Sequence, residues 1–300
     1  MPMSGINSTN HADFIPEIWL QEALGYLRNK LHLIQRVTKS SEITGAFDVG
    51  DVLNIPKRGI LTAQERTEEG AVVLQQPTGS KVSVTLDEYW NVAFALTDFV
   101  ENMSVTNVEG GYVADALAVL AEKVELSIMN LYASMSYNSG SYGATLDEDA
   151  ILAARQLMNE NNCPQMGRSL VVSAKDETAL LKVDRFTRAD AYGKNGVIAE
   201  GAIGRIAGFD VFESNLTPVV SGTPDETHNI AMHKQGIILA SRPLKAVQSA
   251  ISTQVQDPES GLILRLTKGY NSTYNVDQVV LDCLWGVDIM RDEFLVDLRS

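Results

Sequence analysis

The chain has 300 residues, 45% of them hydrophobic and 21% charged, which is enough for a sizeable core and is not the composition of a disordered protein. Its 24 Lys and Arg against 38 Asp and Glu give a formal net charge of −14, the wrong sign for a protein whose main task is to hold nucleic acid by its phosphates. No apolar run is long enough to cross a bilayer, and Met1 to Asp13 lack the basic start and apolar stretch of a secretory signal, so the product is expected to stay in the compartment that made it. Two distant cysteines, Cys163 and Cys283, supply no disulfide framework and fit a reducing cytoplasm.

In chain order, Pro16 opens a helical pattern in which Leu20, Leu24, Leu27, Leu31 and Ile34 recur at spacings of four and three, with Trp19 and Tyr26 beside the stripe. Two readings stay open: a core-packed amphipathic helix, or an arm that docks on a neighbouring subunit. From Gly45 to Leu96 the signal is that of strands. Val82, Val84 and Leu86 alternate with polar residues, Val92, Phe94 and Leu96 alternate with Ala, and Val52 to Pro56 is a partner with an edge-seeking proline. Thr62 to Gly70, with Glu65, Arg66, Glu68 and Glu69, has no apolar face and reads as the solvated tip of a long hairpin.

Gly110 and Gly111 are expected to break the chain before the clearest helix. Val113, Leu117, Leu120, Val124, Ile128, Leu131 and Met135 hold a period near 3.6, with Asp115, Glu122 and Glu125 on the wet side. That helix would be roughly 35 Å long, about twice the globular mean. The cluster Asn138 to Gly143 reads as a turn. Thr145 to Glu148 is a capping-box pattern opening a helix through Ile151, Ala154, Leu157 and Met158. Ser169 to Val172 follows as a buried strand, and Ser173 with Asp176 caps a helix carrying Leu180, Leu181 and Val183. Beyond an irregular stretch from Asp184 to Ala199, Gly204 to Phe212 reads as strand, turn and strand with Gly208 at the turn. Further strands are expected at Ile230 to Met232, at Ile237 to Ala240 and through Leu262 to Leu298.

Catalytic motifs are absent. No Gly-Lys-Ser/Thr phosphate loop, dinucleotide fingerprint or nucleophile elbow occurs, and Gly201 to Gly208 fits neither glycine template. His228 and His233, five apart on an expected strand, point to opposite faces. They read as surface or hydrogen-bonded residues without zinc-site spacing. Cys163 reads as an inert loop thiol, and Asp147, Glu148 and Asp149 as capping residues. No catalytic, metal-binding or cofactor-binding residue is assigned.

The order of elements resembles the major capsid proteins of tailed bacteriophages with the HK97-type fold. Local phrases are similar too: Leu170-Val171-Val172-Ser173 before a helix ending in Leu180-Leu181, Gly204 to Val211 followed by Glu213-Ser214-Asn215, and Leu284-Trp285-Gly286-Val287 with Arg291, Glu293 and Val296. The resemblance implies an α+β fold: an N-terminal arm over 1–44, an extended E-loop hairpin over 45–100, a spine helix over 101–138, an α/β A-domain over 139–245, and returning P-domain strands with the C-terminal strand over 246–300. It implies a coat protein, not an enzyme, that forms hexamers and pentamers and encloses double-stranded DNA without reading its sequence. Portal and separate scaffolding or decoration proteins are the further partners it implies, with assembly in the bacterial cytoplasm, a place in the virion capsid, and no membrane. No long charged helical segment precedes the arm, so a built-in scaffolding domain is not expected. Inter-subunit contacts are expected at Glu65, Arg66, Glu68 and Glu69 on the hairpin tip and at Trp19 and Tyr26 on the arm. The alternatives are an encapsulin-type compartment shell of the same fold, or an α/β enzyme with its site in 144–240.

Overall fold

The computed structural model describes residues 33–40, 52–57, 61–65, 72, 74–97, 108–183, 204–245, 251–256, 261–273 and 276–300. The first elements are strands β1 (Thr38–Lys39), β2 (Val52–Lys57), β3 (Ser80–Thr85) and β4 (Glu88–Thr97), then the long helix α1 (Val108–Met129) and strand β5 (Asn138–Gly140). Helix α2 (Glu148–Glu160), strand β6 (Arg168–Val172) and helix α3 (Ala174–Leu181) follow, leading to strands β7 (Arg205–Ile206), β8 (Phe209–Glu213) and β9 (Val219–Val220). The rest is strand: β10 (Glu226–His233), β11 (Ile237–Ser241), β12 (Ile251–Gln256), β13 (Ile263–Asn271), β14 (Val276–Ile289) and β15 (Leu295–Arg299).

Two mixed sheets divide these strands. In the first, β12, β13 and β14 run antiparallel. Strand β14 is paired by β13 along Val276–Cys283, on its other edge by β4 along Val276–Trp285, and by β11 along Trp285–Ile289, with β1 parallel beyond β11. Helix α1 covers this sheet. Its stripe of Val113, Leu117, Leu120, Val124 and Ile128 packs with Leu264, Leu266, Val279, Leu281 and Trp285 in the larger core. The second sheet has the order β5-β15-β10-β6-β8-β7, with β9 also on β10. Its core joins Ile151, Ala154 and Met158 of α2 to Leu170, Val172, Phe209, Val296 and Leu298.

Several local expectations need correction. Gly110 and Gly111 lie inside α1, in its first turn, where the cost of glycine is least exposed to the rest of the helix. The α-helix ends at Met129 and tightens into a 3-10 segment, Asn130–Ser134, so Leu131 lies beyond its last turn. Glu125 is not on a wet face: it is 5% exposed, and its carboxylate accepts from the amide of Leu33 at 3.0 Å. The cap of α2 is Asp147, whose side chain accepts from the amide of Ala150 at 2.9 Å, in place of the expected Thr145 box. Asn138–Gly140 is a strand parallel to β15, not a turn, because a sheet edge overrides local turn chemistry there.

Other expectations hold. Ser173 caps α3, with its hydroxyl accepting from the amide of Asp176. The β7–β8 turn has Ala207 and Gly208 at φ 48° and 93°, the left-handed pair that a tight hairpin demands.

Buried polar groups tie the second sheet together. Asp176, fully buried, accepts from the Ser173 hydroxyl at 2.7 Å, the Asn229 amide at 2.8 Å and the Ser300 hydroxyl at 2.8 Å. Asn229 in turn accepts from the amide of Ser173 at 2.8 Å, so α3, β10 and the residue after β15 share one satisfied network. A second network sits nearby. His228 Nδ1 is 3.1 Å from both carboxylate oxygens of Asp297, Tyr132 stacks on the imidazole at 3.9 Å, and Arg299 donates to Asp297 at 3.0 Å. Both histidines are thus buried and bonded, His228 at 4% and His233 at 7% exposure, and neither is a surface residue.

The β2–β3 pair forms its own two-stranded ribbon. Leu53, Ile55 and Val84 on one face pack against Ile238 and Ala240 of β11, and Val82, Leu86 and Met290 border them. At its root the chain passes directly over β14. A Cβ on Gly286 would stand 1.9 Å from the carbonyl oxygen of Thr85 and 3.2 Å from the Cα of Leu86. Both obstacles are backbone, so only a glycine admits the crossing.

Gly286→Ala is therefore expected to destabilise the subunit by about 3 kcal/mol or more. Gly208→Ala meets no atom within 4 Å and strains only a positive φ, so about 1 kcal/mol is expected there. Urea unfolding of the two variants measures the difference, and equal losses would contradict the crossing.

Candidate assembly surfaces

The ribbon is half anchored and half uncovered. Along β2 the burial alternates, with Leu53 and Ile55 inward and Val52 and Asn54 outward, as a strand with one covered face must. Asn54 and Ser83 bond across the outer face at 2.7 Å. Pro56 lacks the donor a central strand needs, and the two-stranded ribbon does not ask it for one. At the end of the paired region, Lys57 Nζ lies 3.1 Å from Glu293 Oε1, joining the ribbon to the loop before β15. Burial works against ionisation of Glu293. The bond to its own backbone amide and the Lys57 ammonium outweigh it, and they hold the carboxyl below its ordinary value of 4.5. Both partners are about a third exposed, so the pair positions the ribbon more than it stabilises it.

Past Lys57 the ladder stops. Residues 61–65 and 76–79 are exposed, and among the described residues one clip joins the two arms there: the Gln75 side-chain oxygen accepts from the amide of Thr62 at 3.0 Å, and its NH2 donates to the Thr62 carbonyl. The outer arms carry apolar residues as well as charge. Leu61, Val72 and Leu74 are 66%, 63% and 87% exposed. Such groups so far from any core are the mark of a surface that something else covers. Glu65 is exposed on the same arm. Arg66, Glu68, Glu69, Trp19 and Tyr26 lie outside the described residues, as does the stretch from Asp184 to Ala199.

A second surface lies along α1 and β4. Among the described strands β4 pairs only with β14, and it displays Tyr89 and Trp90. The Lys123 ammonium sits 5.0 Å above the Trp90 ring, Phe94 meets Tyr112 at 5.7 Å, and Tyr112 and Val119 extend the patch along the helix. On the opposite sheet face Arg265 grips Asp282 with two nitrogens, at 2.9 Å through Nε, and Tyr89 donates to the same carboxylate at 3.2 Å. Hydrogen bonding to Asp282, against the pull of burial, tightens the proton on Arg265.

A third surface is the loop 161–167. Asn162 and Gly167 adopt φ of 56° and 78° and turn the chain so that Met166 points outward, 84% exposed. Beneath it His233 donates from Nε2 to the Met166 carbonyl at 3.0 Å and accepts at Nδ1 from the amide of Gln235 at 3.2 Å, an arrangement only the neutral ring can make. Burial, assisted by Arg168 and Arg291 and opposed by the bond to Met166, lowers its pKa below 6.5.

The two thiols are chemically quiet. Both are buried, and burial raises the pKa of each, for Cys283 to about 12.

Because the folded state prefers neutral His233, its contribution is complete above pH 6.5 and is lost as pH falls below that value. Between pH 7.5 and 5.5 the urea midpoint of the subunit should fall, and part of that fall should come from this residue. His233→Gln, which keeps a donor and an acceptor, should remove that part of the slope. An unchanged slope in the variant would contradict the assignment.

Comparison with known proteins fits this picture of a projecting ribbon and uncovered apolar surfaces. A sequence model of the family described as "Phage capsid protein" matches residues 101–280. A search of curated proteins finds no match. Among solved structures, the capsid of cyanophage P-SCSP1u is 14% identical and aligns over 88% of this chain and 86% of its own, with a TM-score of 0.64. A chain from Mycobacterium phage Che8 is 19% identical over 83% of this chain and 85% of its own, with a TM-score of 0.59. A virus-like particle from Pyrococcus furiosus is 11% identical over 94% and 98%, with a TM-score of 0.53. Identities this low speak for the fold alone, and the fold is the HK97-type capsid fold. The family match spans more than half of the sequence, and so the chain belongs to the phage capsid protein family, as a structural protein of the shell and not an enzyme.

Proposed function

We propose that this chain is the major capsid protein of a tailed bacteriophage, self-assembling through hexamers and pentamers into an icosahedral shell around packaged double-stranded DNA. The observation that carries the reading is the family match over 101–280 in a chain whose ribbon exposes Leu61, Val72 and Leu74 beyond its own core. In this reading residues 1–44 are the N-terminal arm, 45–100 the E-loop, 101–138 the spine helix, 139–245 the A-domain, and 246–300 the returning P-domain strands with the C-terminal strand. A portal and a separate scaffolding or decoration protein complete the particle, which forms in the host cytoplasm. The net charge of −14 supports containment of DNA without adhesion, since an acidic lining repels a polyanion.

Glu65, Arg66, Glu68 and Glu69 at the ribbon end, and Trp19 and Tyr26 near the start of the chain, are the proposed contacts between copies. A compartment shell of the encapsulin type is the second reading. The alignment with the Pyrococcus furiosus particle over nearly the full length of both chains favours it.

Electron microscopy of particles purified from cells producing the chain with its neighbouring genes tests the proposal. Closed icosahedral shells with five- and six-membered clusters, holding DNA protected from nuclease, are the expected result. Shells filled with a protein cargo and no DNA would support the compartment instead, and a monomer or dimer under every condition would overturn both. Reversing the charges at Glu65, Arg66, Glu68 and Glu69 together should leave the subunit folded and reduce particle yield about tenfold. Undiminished yield would remove the ribbon end from the contact.

A further inference from the structure

We infer that Glu125 is a positioning residue: it fixes how residues 33–40 are set across the body, and so where the chain before Leu33 starts toward neighbouring copies. The consequence for assembly rests on the shell reading above; the placement itself does not. Residues 33–40 form a strap that touches both sheets. Leu33, Ile34 and Val37 are buried in the larger core. Thr38 and Lys39 run parallel to Ile238 and Leu239 of β11, and the Thr38 hydroxyl donates to the Lys234 carbonyl at 2.8 Å. Between these points the Arg36 guanidinium carbon lies 3.3 Å from the centre of the Phe212 ring, on β8 of the second sheet.

Apolar contact is non-directional, and the ladder to β11 is two residues long. Neither holds the first residues of the strap to one place along α1. The bond from Glu125 does. Its carboxylate, 5% exposed, accepts from the Leu33 amide at 3.0 Å, across 92 positions of sequence. The neighbours of Glu125 on the same helix, Ala121, Val124 and Ile128, are buried and apolar. A carboxylate in such a place is costly, and an apolar residue would fill the space as well. Setting a register is the use to which a buried polar group is best suited. Arg36 extends the hold to the other sheet. Burial weakens its grip on its proton, while Asp210 of β8 and Glu125 of α1 strengthen it. The strap is thus tied to α1 and β8 at its start and to β11 at its end. Trp19 and Tyr26, the proposed contacts near the start of the chain, precede Leu33. A strap that slips along α1 therefore moves the point from which they reach a neighbour.

Glu125→Met keeps nearly the same side-chain volume and removes the acceptor, whereas Glu125→Gln keeps an acceptor for the Leu33 amide. Hydrogen exchange of residues 33–40 in the free subunit and the yield of particles are the two readouts. Glu125→Met is expected to speed exchange of the strap at least about tenfold, with α2 and β10 at parental rates. Its particle yield should fall about tenfold. Glu125→Gln should stay within about twofold of the parent in both. Parental strap exchange or parental yield in Glu125→Met would overturn the inference. So would a Gln variant as impaired as the Met one, or exchange raised evenly through the subunit, the mark of lost stability alone. If Glu125→Met does not fold, Phe212→Leu decides. It removes the ring under Arg36 and should speed strap exchange about threefold and lower the yield with it; parental values in both would again overturn the inference. A parent chain that forms no particles would contradict the shell reading, and strap exchange in the free subunit would still decide the placement.

Discussion

The root of the ribbon crosses β14 with backbone against backbone, and the geometry of the subunit depends on that approach. At Gly286 the carbonyl of Thr85 occupies the place where any other residue would carry its Cβ. Strand β14 is also the common member of the first sheet. It pairs with β13, β4 and β11, while α1 covers it. The crossing therefore fixes the direction in which the ribbon leaves the body. Leu53, Ile55 and Val84 can meet Ile238 and Ala240 only from this starting point, and Lys57 can reach Glu293 only after they do. A projecting element with a small apolar footing obtains its orientation from such a constraint, because its own burial is too slight to supply one.

The second sheet is held by a different kind of force. Its central strands β6, β10 and β15 come from distant parts of the chain, and buried polar groups fix their mutual register. Asp176 collects donors from α3, β10 and the end of the chain, and Asp297 collects His228 and Arg299. Removing one partner from such a network leaves a buried charge or donor uncompensated, so each member specifies its neighbours more than a hydrophobic contact would. A subunit that has to present the same surfaces to many copies needs that specificity.

Much of this was readable from residues. The stripe from Val113 to Ile128 gives α1 because one face of a long helix meets one sheet, and the burial confirms each member. Ser169–Val172, the Ser173 cap and the Gly208 turn follow from local chemistry and stand where the residues put them. What failed depended on distant partners. Glu125 carries a charge and sits on a helix, which reads as solvent, but the amide of Leu33 claims it. Asn138–Gly140 has turn residues, but the edge of β15 recruits them. His228 and His233 have no motif to mark them, and only the pairing of β10 with β15 and β6 brings Asp297 and Arg168 to them. The exposed Leu61, Val72 and Leu74 flank a polar tip and drew no notice, since exposure is a property of the fold and not of a residue type.

In the proposed function the subunit is completed by its copies: the ribbon arms find their cover in the shell and not in their own chain. Hydrogen exchange at residues 61–65 and 74–79 measures this directly, in dissociated subunit and in intact particle. Among the described residues those amides make no ladder beyond Ser80 and one side-chain clip at Thr62, so exchange in the free subunit should be close to that of an open chain. In the particle it should slow by at least about a hundredfold, while α1 changes little. Equal exchange of the arms in both states would contradict the account, because a ribbon that stays bare in the finished shell is not what joins it.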